Sequence, residues 1–176
     1  MNILFEIKGV LHVAEVLKEN IASFKARMND GDEVKVKKSN VRIQMSSCDS
    51  EHFIKNAQSL AKTIKVDNLW CLFGVQEFSF DEIAKKYFQS DKLTPLQLGG
   101  VLFCLNSNPV YFYRRGEGCY KVASPEVLDQ ALMALKTSEK NQKIIDHYIL
   151  ELNRFELPID IKNNLNQLLF SPKKDS

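Results

Sequence analysis

Residues 109–122, PVYFYRRGEGCYKV, are the stretch that decides the fold of this chain. Two β-prone runs flank a turn with two glycines, which can adopt the positive φ angles of a tight hairpin turn. Period-two alternation puts Val110 and Phe112 on one face and Tyr111 and Tyr113 on the other. Both faces of so aromatic a hairpin cannot be equally solvated. We therefore expect one set of rings to pack inward and the other to be available to a partner.

The residues before the hairpin show the pattern of a winged helix-turn-helix, over residues 48–124. An amphipathic helical stripe comes first. Two later helix starts each carry a capping box, in which side chain and backbone bond reciprocally: Ser79 with Glu82, and Thr94 with Gln97. The predicted order is helix, short strand, helix, helix and hairpin. That order is the connectivity of a winged helix-turn-helix.

The first 47 residues alternate in the manner of β-strands. A hairpin turn at residues 29–32, Asn-Asp-Gly-Asp, separates two of the runs. Five strands are predicted, at residues 3–7, 10–17, 22–28, 33–37 and 40–43. So many short strands favour a small closed barrel, which leaves no exposed sheet edge. We predict an SH3-like or OB-like β-barrel over residues 1–47, and thus an α+β chain.

Residues 125–176 complete the chain with helices and a linker. One helix is predicted to begin at Ser124-Pro125 and to run to about Phe155. Its polar middle, residues 136–143, either projects into solvent or marks a break. A last short helix should follow Pro158, with an apolar face formed by Ile161, Leu165, Leu168 and Leu169. Residues 171–176 have the composition of a linker.

The sequence contains no recognisable catalytic or metal-binding motif. The four cysteines and three histidines among the 176 residues lack zinc-site spacing. The carboxylates are scattered, so no Mg²⁺ site is predicted, and neither a phosphate-binding loop nor an activated nucleophile is recognisable. Because no apolar run reaches the roughly 18 to 20 residues that cross a bilayer and no signal peptide begins the chain, we expect a cytoplasmic protein without a membrane partner.

Recognition of a polyanion is the chemistry that remains. The net charge is only +2, but basic residues exceed acidic ones by eight to six in residues 1–47 and by three to one in residues 109–123. Exposed rings stack on bases and cations bind phosphates. The candidate RNA-binding residues are Tyr111, Tyr113, Arg114, Arg115 and Lys121 in the hairpin and Lys35, Lys37, Lys38 and Arg42 in the barrel. The alternatives are that the rings cover a helical core and that the lysines form a solvated face.

The chain also resembles a known family, the bacterial ribonuclease II/ribonuclease R (RNB) exoribonucleases, in the branch whose N-terminal region carries a helix-turn-helix. The resemblance rests on the hairpin, on Phe5-Glu6 before Gly9, on Leu69-Trp70, on Phe78-Ser79-Phe80 and on residues 84–88, AKKYF. It implies a parent enzyme that degrades RNA from the 3′ end, with Mg²⁺ held by aspartates of a downstream domain. Those aspartates have no counterpart here. The implied partners are single-stranded RNA and the catalytic domain of the same polypeptide.

Two alternative functions are open at this point. A DNA-binding winged-helix regulator would need cations or amides on the helix that enters the major groove. The candidate helix, residues 94–105, contains no Lys or Arg and is mostly apolar. We therefore expect this helix to be packed. A protein-interaction module that docks on the nuclease body would suit such a helix.

Overall fold

The computed structural model describes residues 1–46, 48–74 and 76–164. The chain is a mixed α+β protein that divides into two compact units, Met1–Leu128 and the residues from Asp129 onward. The predicted segments 1–47 and 48–124 both lie within the first unit.

Five strands form an antiparallel sheet in the order β4-β3-β2-β1-β5. Their bounds are Asn2–Ile7 (β1), Val10–Glu19 (β2), Ser23–Arg27 (β3), Glu33–Lys37 (β4) and Val41–Met45 (β5). The predicted turn at residues 29–32 connects β3 to β4, and Asp30 Oδ1 accepts a hydrogen bond from the Asp32 N–H at 3.0 Å.

The sheet is open, whereas we expected a closed barrel. No ladder joins β4 to β5 within the part of the chain that is described. The connection between them is a 3₁₀ turn at Lys38–Asn40. This turn carries the chain to the opposite edge, where β5 pairs with β1.

Strand β1 is buried on both faces and thereby joins two cores. Ile3 and Phe5 lie inside the curl of the sheet, in a small core completed by Ala14, Phe24, Ala26 and Val36. Leu4 points the other way, into a larger core that the helices share with Val13, Ile43 and Met45. The sheet and the helices of the first unit are therefore one packed body.

Helices and a small sheet make up the rest of the first unit. In chain order they are α1 Ser50–Thr63, α2 Val66–Cys71, β6 Glu77–Ser79, α3 Phe80–Phe88, α4 Pro95–Ser107, β7 Phe112–Gly116 and β8 Cys119–Val122. The three strands pair in the order β6-β8-β7. Both predicted helix starts are present: Thr94 and Gln97 bond reciprocally at 2.9 and 3.2 Å, and Glu82 accepts from the Ser79 N–H at 2.8 Å.

Helix α4 is the central helix of this unit, as its apolar sequence predicted. It packs closely on α1 because Gly99 and Gly100 present no side chain there. A Cβ at Gly99 would lie 3.0 Å from the Phe53 ring, and one at Gly100 would lie 2.7 Å from Leu60 Cδ2. Six of the 13 residues of α4 are buried.

The second unit contains most of helix α5, Pro125–Asn153, and helix α6, Ile159–Asn163. The polar middle of α5 is helical and exposed, without a break. The Tyr148 hydroxyl donates to Asp160 Oδ2 at 2.8 Å and links the two helices. The predictions for Leu165, Leu168, Leu169 and the linker 171–176 lie outside the described residues. No helix in residues 1–46, 48–74 or 76–164 has the length and apolarity needed to span a membrane.

Candidate nucleic-acid interface

The hairpin of β7 and β8 has one buried and one exposed face. Phe112 is 2% exposed and packs edge-on against Phe78, with ring centroids 6.3 Å apart, and Tyr120 is 1% exposed. Tyr113, the next residue along β7, is 40% exposed. The alternation expected from the sequence is therefore present for Phe112 and Tyr113, whereas Val110 and Tyr111 precede the strand. Tyr113 is the hairpin tyrosine that faces solvent.

Two cations share the outer face with Tyr113. Cross-strand pairing aligns Tyr113 with Lys121 and Lys121 with Glu77, so these three side chains lie side by side. Arg115 follows on the same face and lies 3.4 Å from Glu77 in an exposed ion pair. This outer hairpin face, composed of Tyr113, Arg115 and Lys121 with Glu77 at its side, combines an exposed aromatic ring with two cations.

Tyr111 has a different position from Tyr113. It is half-buried against the helical core. Its burial, and secondarily a hydrogen bond with Asp67, raise the pKa of the Tyr111 hydroxyl. This arrangement matches the alternative in which an aromatic ring covers the core.

Arg42 and Arg114 both bind the carboxylate of Glu6. Arg42 Nε and Nη2 each lie 3.3 Å from Glu6 Oε2, and Nη1 donates to the Ser39 carbonyl at 2.7 Å. Arg114 Nη1 lies 3.1 Å from Glu6 Oε1. The Arg42 side chain is only 7% exposed and that of Glu6 10%. The two predicted RNA contacts thus lie in an internal ion cluster that ties the five-stranded sheet to the hairpin.

The turn between β1 and β2 is shaped to receive Arg114. Gly9 has a φ of +86°, and a Cβ there would collide with the Arg114 guanidinium. The Gly9 carbonyl accepts a hydrogen bond from Arg114 Nη2 at 3.1 Å. The same nitrogen donates to Asn106 Oδ1 at 2.9 Å, and the Tyr120 hydroxyl donates to that oxygen at 2.7 Å. Burial, and secondarily the charge of Glu6, raise the pKa of Tyr120 to about 12.

The predicted barrel lysines do not form one group. Lys35 and Lys37 are exposed on the same face of β4. Lys38 lies in the 3₁₀ turn, where its Nζ contacts Glu19 at 2.5 Å and lies 5.2 Å from the centre of the Phe24 ring.

Sequence reasoning missed two basic residues on the face of Lys35. The turn at residues 29–32 sets the pairing of β3 with β4, and Lys25 is thereby opposite Lys35. Lys18 of β2 is in turn opposite Lys25. Lys25 also contacts Glu33 at 2.5 Å, and this hydrogen bond lowers the pKa of Glu33. The turn at residues 29–32 sets the register of β3 against β4. The sequence therefore indicated that Lys25 would lie opposite Lys35.

Comparisons with known proteins add no assignment. No family model, curated protein or solved structure matches the chain. Within the described residues no group of three or more His, Cys, Asp or Glu side chains is arranged to hold a metal ion.

Proposed function

We propose that this chain is a non-catalytic RNA-binding module of an RNB-family 3′-to-5′ exoribonuclease. In this proposal the module guides single-stranded RNA to a catalytic domain of the same polypeptide, and the Mg²⁺ of the reaction belongs to that domain. The resemblance of the hairpin and the shorter motifs supports the family. The outer hairpin face supports the ligand.

The exposure of Tyr113 is the observation that carries the proposal. An aromatic ring that is 40% exposed at the surface of a hairpin offers a π-face to any base, and such stacking contributes about 1–3 kcal/mol per base. Arg115 and Lys121 on the same face bind phosphates whatever the sequence. Arg42 and Arg114 have a structural role in this proposal, since Glu6 holds both.

The finer fold assignment belongs to the same proposal. The element order from α1 to β8, with the three-stranded sheet β6-β8-β7, supports a winged helix-turn-helix over residues 48–124. The curled five-stranded sheet, with β5 returning to β1, supports a partly open SH3-like or OB-like barrel over residues 1–47. Barrels of the OB type are among the modules with which proteins bind single-stranded RNA.

Fluorescence anisotropy with a labelled single-stranded oligonucleotide tests the function. Tyr113→Ala should weaken binding between about 5-fold and 150-fold, the equivalent of one lost stacking contact. Tyr113→Phe is the matched control, because it keeps the ring, and should bind like the wild type. Equal binding by Tyr113→Ala and wild type would show that the Tyr113 ring does not contact RNA, and the proposal would lose its main support.

The non-catalytic part of the proposal has its own test. Purified protein incubated with end-labelled RNA and Mg²⁺ or Mn²⁺ should leave the RNA intact. Shortening of the RNA that survives repurification and stops with EDTA would contradict it.

A protein-interaction module is the second candidate, and a separate observation favours it. Several apolar side chains in the second half of α5 are about half exposed: Ile144, Ile145, Ile149 and Leu152. If the wild-type protein binds no RNA in any condition of the anisotropy experiment, protein interaction becomes the leading function.

A further inference from the structure

Three lysines lie in a line across three neighbouring strands on the outer face of the sheet. Lys18 on β2 is opposite Lys25 on β3, and Lys25 is opposite Lys35 on β4. Opposed residues of antiparallel strands share a face, and the strands are about 4.8 Å apart. All three side chains are exposed. We call this set the lysine row.

The row is unfavourable for the sheet itself. Like charges directly opposite each other on neighbouring strands destabilise the pairing. The adjacent row shows the opposite arrangement, since Arg27 is opposite both Glu15 and Glu33. In the lysine row Lys25 reaches Glu33 diagonally, whereas Lys18 and Lys35 have no acidic partner within residues 1–46, 48–74 and 76–164.

A chain of phosphates is the ligand that such a row fits. Ammonium groups bind phosphate as point charges without demanding a fixed geometry. Aligned on three strands, they present positive charge along a line. This line matches the row of negative charges along a polyanionic backbone. The residues that share this face of β3 and β4 with the lysines include no aromatic ring, so bases have nothing to stack on. The row therefore suits a backbone and not a base sequence.

We infer that the lysine row is a track for the phosphate backbone of single-stranded RNA, separate from the outer hairpin face. The inference rests on the proposed RNA-binding function and adds a second contact surface to it. Binding by the row is independent of sequence and sensitive to salt, because each phosphate contact releases counterions.

The test compares two double variants of equal charge over a salt series. Lys18→Gln/Lys35→Gln removes the unpaired lysines and keeps the Lys25–Glu33 contact. The control, Lys62→Gln/Lys92→Gln, removes two exposed lysines from outside the five-stranded sheet. At roughly 0.7 per contact, the row variant should flatten the log–log salt slope by about 1.4, which corresponds to binding weaker by on the order of 20-fold at about 0.1 M salt. The control should keep the wild-type slope.

Stability provides a second readout that separates binding from structure. The row variant should unfold at the same urea concentration as wild type or a higher one, because it relieves repulsion. A lower midpoint would indicate that the lysines serve the fold and would overturn the inference.

The outcomes distinguish the two proposals. Absence of RNA binding by wild type rejects the RNA-binding function and the inference with it. Binding that depends on Tyr113, with equal salt slopes for the row variant and its control, rejects the inference alone. Displacement of RNA by polyglutamate as effectively as by polyuridylate, at equal charge, would also reject it, because the row would then be a general acidic-protein surface.

Discussion

Replacing Glu6 by glutamine should destabilise the protein far more than a surface charge change does. The substitution keeps the size of the side chain but removes the negative charge that two guanidinium groups share. Arg42, with 7% of its side chain exposed, would then be a nearly buried cation with no carboxylate. Arg114 would be less affected, since its side chain is 36% exposed.

The structure sets the size of the effect. Removing one partner of a fully buried ion pair costs about 3–5 kcal/mol, because the other charge is left uncompensated. The Arg42 guanidinium keeps the Ser39 carbonyl as a partner, and water reaches Arg114. We therefore expect Glu6→Gln to lower the free energy of unfolding by about 2–3 kcal/mol, below the fully buried limit. An exposed pair such as Arg115–Glu77 is worth about 0.2–1 kcal/mol.

Urea denaturation followed by circular dichroism measures the difference, with Glu77→Gln as the matched control. The unfolding midpoint should fall for Glu6→Gln with an unchanged m-value, and should barely move for Glu77→Gln. If the two variants unfold at the same urea concentration, the ion cluster does not hold the sheet to the hairpin, and our reasoning about Arg42 and Arg114 fails.

Three further predictions concern packing and ionisation. Gly100→Ala should lower the free energy of unfolding by roughly 1 kcal/mol in urea denaturation, because crowding of Leu60 outweighs the gain in helix propensity; an increase would contradict the close packing. Burial raises the pKa of Cys104 to about 11, so at about pH 8 its thiol should react with a disulfide reagent only in denaturant, whereas the exposed Cys71 reacts in the native protein. The folded-state pKa of Tyr120 is raised from 10.0 to about 12, so its contribution to stability should be complete below pH 10 and be lost as the pH rises to 12. Tyr120→Phe should abolish that step in pH-dependent unfolding; a step of the same size in the variant would assign it to another group.

Local signals in the sequence were enough to predict most elements of the first unit. The capping boxes at Ser79 and Thr94 mark helix starts through contacts three residues apart, and the turn at residues 29–32 fixes a hairpin in the same way. Alternation likewise separated Phe112 from Tyr113. All of these features depend on neighbours in the chain, which a single sequence displays.

The parts that the sequence did not predict depend on distant pairs. Glu6 is 36 residues from Arg42 and much farther from Arg114, so nothing local indicated that both arginines would be held inside. The lysine row depends on a shift of register in β2 between Val16 and Lys18. Without that shift Lys18 would be opposite Phe24 and would face the small core inside the sheet. Strict alternation along β2 therefore predicts the inner face for Lys18, whereas its side chain is exposed on the outer face. Closure of the sheet would need β5 to pair with β4 as well as with β1, and this long-range pairing is not visible in a single sequence.

The position of β4 at the edge of its sheet also bears on how the protein behaves when concentrated. An open edge strand offers backbone N–H and C=O groups along which a strand of another molecule can add. Three of the five side chains of β4 are charged, namely Glu33, Lys35 and Lys37, and an incoming strand would have to strip water from them. Lys35, which we assign to RNA, is thus also one of the charges that oppose edge-to-edge joining of separate molecules. Apolar replacements at these positions would make this edge a starting point for aggregation.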